Sequence, residues 1–339
     1  MASISDVARL AGVSITTASR VLNPVAGYPI AAKTRQRVLA AAETLQYSPS
    51  AIARALVTRR SRIVGALVGD IVDPYFAETV RGVEDVARRT GYMVVVCNTD
   101  RDPATERRYV SALRDYRADA VLFLGGQFAS GEAAEEMERE LVLAQRQGTV
   151  LMGLLGDRGH LPRVDVDHRA GARQMVEHLV GLGHRRIGFV AGPATITTAR
   201  ERLAGFRDGM AAAGLEPALI GDGDFTYEGG ASAAARLIER EPTALFTAND
   251  EMALGAMSAA RALGRSVPEQ LSVVGFGDTH RARQATPALT TVSIPRHEIG
   301  ARAMEMVVAA LGPHKTPVAS LTIPFTLTIR DSAAHPPGG

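Results

Sequence analysis

Cysteine is almost missing from this chain of 339 residues: Cys97 stands alone, so neither an internal disulfide nor a thiolate metal cluster can form. Tryptophan is absent and aromatics make up only 5%. No run of about 18 uninterrupted apolar residues occurs, which excludes an ordinary membrane-spanning helix. The N-terminus MASISDVARLAG has no basic start, long apolar stretch or small-residue cleavage site, so a cytoplasmic location is expected. GxxxxGK[ST], GxSxG and HExxH are all missing. The nearest thing to a dinucleotide fingerprint, Gly275-Phe276-Gly277-Asp278-Thr279-His280, lacks its third glycine. No enzyme and no cofactor are expected. A hydrophobic content of 46% with 22% charge leaves enough apolar material for sizeable cores, and the length suits two to three domains.

The charge is unevenly distributed. The first 62 residues hold nine Lys/Arg against Asp6 and Glu43, a balance of +7, which leaves −5 for the rest of a chain whose total is +2. A small basic head on an acidic body points to a polyanionic partner for the head alone.

Within that head, Ser3 and Asp6 have capping-box spacing, and Val7, Leu10 and Ala11 then recur at helical spacing until Gly12. Ser14 caps a second helix that turns Ala18, Val21 and Leu22 inward. A third helix over about Thr34 to Gln46 buries Val38, Ala41, Ala42 and Leu45. Two short helices across a tight glycine turn, braced by a third, make a helix-turn-helix unit over residues 1–46. The outward stripe of the second helix is Ile15, Thr16, Ser19, Arg20 and Asn23. Ile15 can meet a thymine methyl, Thr16 a base edge, and Arg20 a guanine or a phosphate, while Ser14 and Ser19 suit phosphates. Next, Ser48 or Ser50 can cap a short helix after Pro49, too short to persist in water without a partner.

From Ile63 the pattern becomes apolar strands followed by amphipathic helices. Strands are expected at 63–68, 93–97, 120–124 and 150–155, and again at 186–191, 218–220, 244–247 and 271–276. Asp73-Pro74 opens a helix, and further helices are expected at 106–116, 170–182, 201–213, 227–239 and 252–263. Such alternation implies parallel sheets covered by helices, and two tandem units imply a cleft at the strand carboxyl ends. Asp165-Val166-Asp167-His168 has the residue types of a metal site, but alternating strand carboxylates beside a loop more often face solvent or cap a helix.

The segments DVARLAGVSITTASRVLN and YSPSAIARAL resemble the DNA-binding head and hinge of the LacI/GalR family of bacterial transcription regulators. GHRRIGFVAGP, TANDEMALGAM and LSVVGFGDTHRARQATPALTTV resemble its effector domain. The resemblance implies a helix-turn-helix head plus an α/β two-lobed body with the periplasmic-binding-protein fold. A hinge helix and linker occupy 47–61, where Ser50, Ala53 and Leu56 meet DNA and Leu56 wedges between base pairs in the minor groove. One lobe spans about 62–162 and 293–320, the other about 163–292 and 321–330, with three crossings between them and a disordered tail at 331–339. The partners implied are double-stranded operator DNA, a small-molecule effector and a second copy of the chain, with no membrane, at a nucleoid-associated location. The chain departs from the family in a loop at 24–32 about two residues longer than common, and in Ala31, where a serine usually caps the third helix.

By the same resemblance the effector meets Tyr75, Phe76, Arg200, Phe225, Asn249, Asp250 and the position of Gly277. Gly277 replaces a frequent ligand-holding aspartate, and Leu154 stands where another often ends the fourth strand. A pocket short of two acceptors but keeping Arg200 is expected to favour an anionic or less hydroxylated ligand, unless Asp278 or Asp157 substitutes. The body also matches secreted solute-binding proteins, so a sensor without specific operator binding is the alternative reading.

Overall fold

The computed structural model describes residues 2–22, 28–48, 55, 60–125, 132–156, 159–314 and 316–337. It divides into two units, Met1–Arg62 and Ile63–Gly339. Asn23, Ser50, Ala53, Leu56 and Asp157 lie outside the described residues.

The first unit holds α1 (Ile4–Ala11), α2 (Ile15–Leu22) and α3 (Ala32–Thr44). The capping box forms, with Ser3 N–H donating to Asp6 Oδ2 at 3.0 Å and Asp6 N–H to Ser3 Oγ at 3.3 Å. Gly12 ends α1 at φ 63°, a left-handed value that costs glycine nothing, and the Val13 N–H returns to the Ala8 carbonyl at 3.0 Å. Val7, Ala8, Ala11, Ala18, Val21, Val38, Ala41 and Ala42 make the core. Leu10, expected inside, is 55% exposed, because the inward arc of α1 runs through Val7, Ala8 and Ala11. Helix α3 begins with Ala31 as its cap residue and no side-chain cap bond.

The second unit opens with β1 (Ile63–Val68), α4 (Pro74–Thr90), β2 (Met93–Asn98), α5 (Pro103–Asp115), β3 (Ala120–Leu124), α6 (Glu132–Arg146), β4 (Val150–Leu154) and β5 (Arg163–Asp165). It continues through α7 (His168–Gly181), β6 (Ile187–Ala191), α8 (Thr197–Ala212), β7 (Ile220–Asp222), α9 (Tyr227–Ile238), β8 (Ala244–Thr247), α10 (Asp250–Ala262), β9 (Ser272–Gly277), α11 (His280–Gln284) and β10 (Thr290–Ser293). Finally come α12 (Arg296–Leu311), β11 (Leu321–Thr322) and β12 (Thr326–Thr328). The strands form two six-stranded sheets, ordered β11-β5-β4-β3-β1-β2 and β12-β10-β9-β8-β6-β7. All pairings are parallel except β10 with β12. Central strands such as β3, β6 and β9 are buried along their whole length, as apolar runs between helical layers should be.

The chain crosses between the sheets after β5, after β10 and after β11. Two boundaries differ from expectation. Residues 163–165 and 321–322 belong to the first lobe's sheet, because β5 and β11 pair there, and only β12 joins the second. Helix α12 returns to the first lobe and packs on α4 so closely that a Cβ on Gly82 would strike the His297 carbonyl, and one on Gly300 the Thr79 carbonyl. Residues 331–337 form no loose tail. Ser332 is fully buried and bonds Thr290 N–H and the Val273 carbonyl, while the Ala334 carbonyl lies 2.9 Å from His184 Nε2.

Candidate functional site

In the head, α2 buries Ala18 and Val21 and turns Ile15 and Thr16 to the outside, with Ser19 and Arg20 half-buried beside them. Ser14 is engaged by the fold: its Oγ accepts from Thr17 N–H at 3.1 Å and lies 2.9 Å from the Thr17 hydroxyl. Arg37 on α3 donates to the Gly12 carbonyl at 3.2 Å and holds the turn. An apolar side chain, a hydroxyl and a guanidinium thus share one exposed helical face on a basic unit, the side-chain types that read base edges.

In the body, the carboxyl ends of the strands converge on a cleft between the two sheets. Asp73 starts its helix by accepting from Tyr75 N–H at 2.9 Å, with Pro74 at the first helical position, and this sets Tyr75 and Phe76 on the cleft wall. The first lobe adds Val68, Thr99, Arg101, Leu124 and Leu155, and the second adds Ile196, Thr198, Arg202, Phe225 and Asn249. Phe76 meets Tyr75 edge to face, with centroids 5.4 Å apart. The space left at the centre is about 50 Å³, room for a few waters and far below the size of a usual ligand pocket. The two lobes are closed on one another.

Strained backbone clusters here. Arg101, Leu155 and Phe225, which line the cleft after β2, β4 and β7, have φ values of 55°, 57° and 71°. Each such conformation costs a non-glycine residue about 1–3 kcal/mol and collects where function demands it.

Two buried arginines join the lobes. Arg202, 2% exposed on α8, donates from Nη1 to the Ala248 carbonyl at 2.6 Å and from Nη2 to the Tyr75 hydroxyl at 3.0 Å, and its guanidinium lies 4.2 Å from the Phe276 ring centroid. Arg296, 1% exposed at the start of α12, donates to the Gly277 carbonyl, to the Asp278 carbonyl at 3.0 Å and to Glu78 Oε2 at 2.9 Å. Burial pushes the Tyr75 phenol up, against the pull of Arg202, so this acceptor stays neutral. Burial also raises the Asp73 carboxyl, countered by the Tyr75 N–H and by Arg101, whose Nη2 lies 3.1 Å away.

The expected effector residues separate on inspection. Tyr75, Phe76, Phe225 and Asn249 line the cleft. The Asn249 amide is largely committed to the fold, donating to the Phe225 carbonyl and accepting from Met252 N–H, both at 2.9 Å. Asp250 does not reach the cleft. It is buried, accepts from Thr291 Oγ1 and Thr279 N–H, both at 2.6 Å, and has its carboxyl pushed up by desolvation. Gly277 is likewise absent from the lining, its φ of 142° and its carbonyl serving the Arg296 contact. Asp278 cannot supply the missing acceptor, because it binds Arg330 at 2.6 Å and Ser293 at 3.1 Å. Leu154 is core; Leu155 faces the ligand space.

Arg200 is a correction. It is exposed and lines a separate depression with Arg163, Asp167 and Thr322, two residues along the helix from the arginine that enters the cleft. The signal for Arg202 was available, since it falls on the buried stripe of α8 with Ala199, Phe206 and Met210. The carboxylates of 165–168 diverge: Asp165 Oδ1 lies 3.1 Å from His168 Nε2, and Asp167 caps α7 by accepting from Ala170 N–H at 2.8 Å. Among the described residues no group of His, Cys, Asp and Glu is placed to hold a metal. None of their helices is long and apolar enough to cross a membrane.

Comparison with known proteins agrees with this geometry. A family model for bacterial regulatory proteins of the lacI family matches residues 3–50, and one for a periplasmic binding protein-like domain matches 176–333. The HTH-type transcriptional regulator DegA of Bacillus subtilis (strain 168) is 36% identical over 88% of this chain and 88% of its own. The HTH-type transcriptional repressor PurR of Haemophilus influenzae (strain PittEE) is 37% identical over 91% and 90%. Among solved structures, the lac repressor dimer bound to operator and the anti-inducer ONPF superposes with a TM-score of 0.84 at 27% identity, covering 98% of this chain and 99% of that one. With a head and a body each matched in its own terms, the chain belongs to the lacI family of bacterial transcription regulators, which are DNA-binding proteins with an effector domain and not enzymes.

Proposed function

We propose that this protein is a homodimeric repressor whose two heads read the halves of a near-palindromic operator and whose interlobe cleft takes a small-molecule effector. The observation that carries the reading is the cleft tied shut by Arg202 and Tyr75 in a chain that also presents the α2 stripe. A ligand enters only where the lobes part, and its differential affinity for open and closed forms is what moves the equilibrium between them. Ile15, Thr16 and Arg20 carry the base reading, and Leu56 opens the operator centre.

Strand β2 supports the dimer. Its sequence MVVVCN reads as buried on both faces, yet it is an edge strand with Met93 57% and Val96 38% exposed. The lac repressor relative is itself described as a dimer bound to operator.

The lining also narrows the effector. Phe76 and Phe225 line it from opposite lobes, Leu124, Leu155 and Ile196 are apolar, and the Asn249 amide is engaged. Of the two carboxylates in the lining, Asp73 and Glu106, Asp73 is paired with Arg101. A flat ligand with few hydroxyls fits this wall. Its anionic end would sit at the first turn of α8, which has no side-chain cap and places Thr198 in the cleft one turn before Arg202.

Selection of sites from random DNA with the purified full chain tests the proposal. A symmetric enriched site supports it, and repeated failure with and without metabolite pools removes it. Calorimetry tests the effector class: tight binding of a neutral hexose, unaffected by Arg202→Ala, would sink that part.

A further inference from the structure

We propose that Tyr28 is a specificity-determining positioning residue, whose ring holds the Arg20 guanidinium in the orientation that reads a guanine. The inference rests on the operator reading above and extends it to a residue outside the recognition helix. The Arg20 guanidinium carbon lies 4.1 Å from the centroid of the Tyr28 ring. Tyr28 is not there as core, since it is 56% exposed and absent from the head's apolar cluster. The chain just after it is nevertheless anchored: Pro29 restricts the backbone, and Ile30 packs against the head core formed by Val7, Val21 and Val38. A tyrosine fixed from behind and exposed in front is a platform.

The chemistry follows from the two faces of a guanidinium. Stacking on an aromatic ring covers one face and leaves the edge N–H donors free, and guanine O6 and N7 accept from that edge. An arginine already held in one orientation has less rotamer freedom to lose when it binds. Phosphate contact needs no such orientation, so the ring should act on specificity and leave non-specific affinity alone.

Site selection and quantitative binding with the full chain, compared for the unsubstituted protein, Arg20→Ala, Tyr28→Ala, Tyr28→Leu and Tyr28→Phe, test this. Arg20→Ala identifies the half-site position that Arg20 reads. Tyr28→Ala and Tyr28→Leu are expected to reduce the preference for guanine at that position by about two- to fivefold, the scale of an exposed cation–π contact. Affinity for random DNA and the salt slope should stay unchanged. Tyr28→Phe should keep the preference, and Tyr28→Ala should change nothing further in an Arg20→Ala background. Unchanged preference in both Tyr28→Ala and Tyr28→Leu overturns the proposal. So does a loss at a different position, which would make Tyr28 a direct reader, or a Phe variant that behaves like Ala. If the unsubstituted protein enriches no site, the operator reading falls first and takes this inference with it.

Discussion

Tyr75→Phe removes a single oxygen, and that oxygen joins the lobes. It sits on α4 of the first lobe and accepts from Arg202 Nη2 at 3.0 Å, on α8 of the second. Arg202 is 2% and Tyr75 8% exposed, so bulk solvent does not reach the lost partner while the cleft stays closed. A hydrogen bond from a charged donor contributes about 1.5–3 kcal/mol. Opening hydrates both groups, so the loss falls on the closed form. With each 1.4 kcal/mol worth a factor of ten, the open fraction should rise about tenfold to a hundredfold.

Amide hydrogen exchange reads this directly. Amides of the buried first turn of α8, Thr198 and Ala199, which have no side-chain cap, should exchange faster by that factor, while amides inside β1 keep their rates. Burial holds the Tyr75 phenol above its ordinary value of 10.0, so the difference should be flat between about pH 6 and 9. Phe76 keeps its edge contact with either ring. Equal exchange at the cleft amides would refute the reasoning, and so would acceleration everywhere, which would mean lost global stability.

Three further outcomes are expected. Ala31→Ser supplies the missing cap of α3 and should stabilise that helix start by about 1 kcal/mol, slowing exchange in its first turn; unchanged exchange there would count against it. Burial holds the His184 imidazole below its ordinary value of 6.5. The unfolded chain therefore takes up that proton first as pH falls, and the stability present above the unfolded value drains away below it. The melting temperature should drop between about pH 7 and 5, less so in His184→Gln, and equal drops would contradict the assignment. Val96→Glu places a charge on the exposed β2 edge of both copies and should raise the dimer dissociation constant at least about a hundredfold, read by sedimentation; an intact dimer would place the interface elsewhere.

Much of the architecture was legible because local chemistry and global packing agree. Asp73-Pro74 announces α4 by pairing a cap acceptor with a proline that has no N–H to lose, and Asp102-Pro103 repeats the device at α5. Strands β1, β3, β4 and β8 fall within a residue of their expected bounds because each is an apolar run between turn signals. Strands of two or three residues, β5, β11 and β12, carry no periodicity, so the sheet that owns them is visible only in the pairing. The choice of Arg200 rests on the resemblance, with a helix expected only from Glu201; a helix from Thr197 holds both arginines, and its phase buries Arg202 and exposes Arg200. The engagement of Asp250 and Asp278 was beyond reach, since their partners Thr291 and Arg330 are distant in the chain. The Pro/Gly-rich end misled for a similar reason: composition predicts disorder, yet Ser332 completes hydrogen bonds left open beside β9 and β10.

Arg296 shows how closure and folding stability separate. Its guanidinium extends from α12 of the first lobe to the carbonyls of Gly277 and Asp278 in the second, and its Nε has no hydrogen-bond partner among the described residues. Replacing both members of a buried ion pair by apolar side chains is often neutral or stabilising, whereas removing one member is costly where the groups it served stay buried and unpaired. The partners left behind by Arg296→Met are two carbonyls at the lobe boundary and Glu78, whose side chain is already 41% exposed. Water reaches all of them once the lobes part, so the substitution should act on closure and leave each lobe standing. The melting temperature should move by only a few degrees, as for a change of about 1 kcal/mol, while cleft amides exchange faster. Effector should then shift operator affinity by a different amount than in the parent, because the variant changes the open–closed balance on which the effector acts. A large fall in melting temperature with an unchanged effector response would make Arg296 a folding residue and leave the coupling to Arg202 and Tyr75 alone.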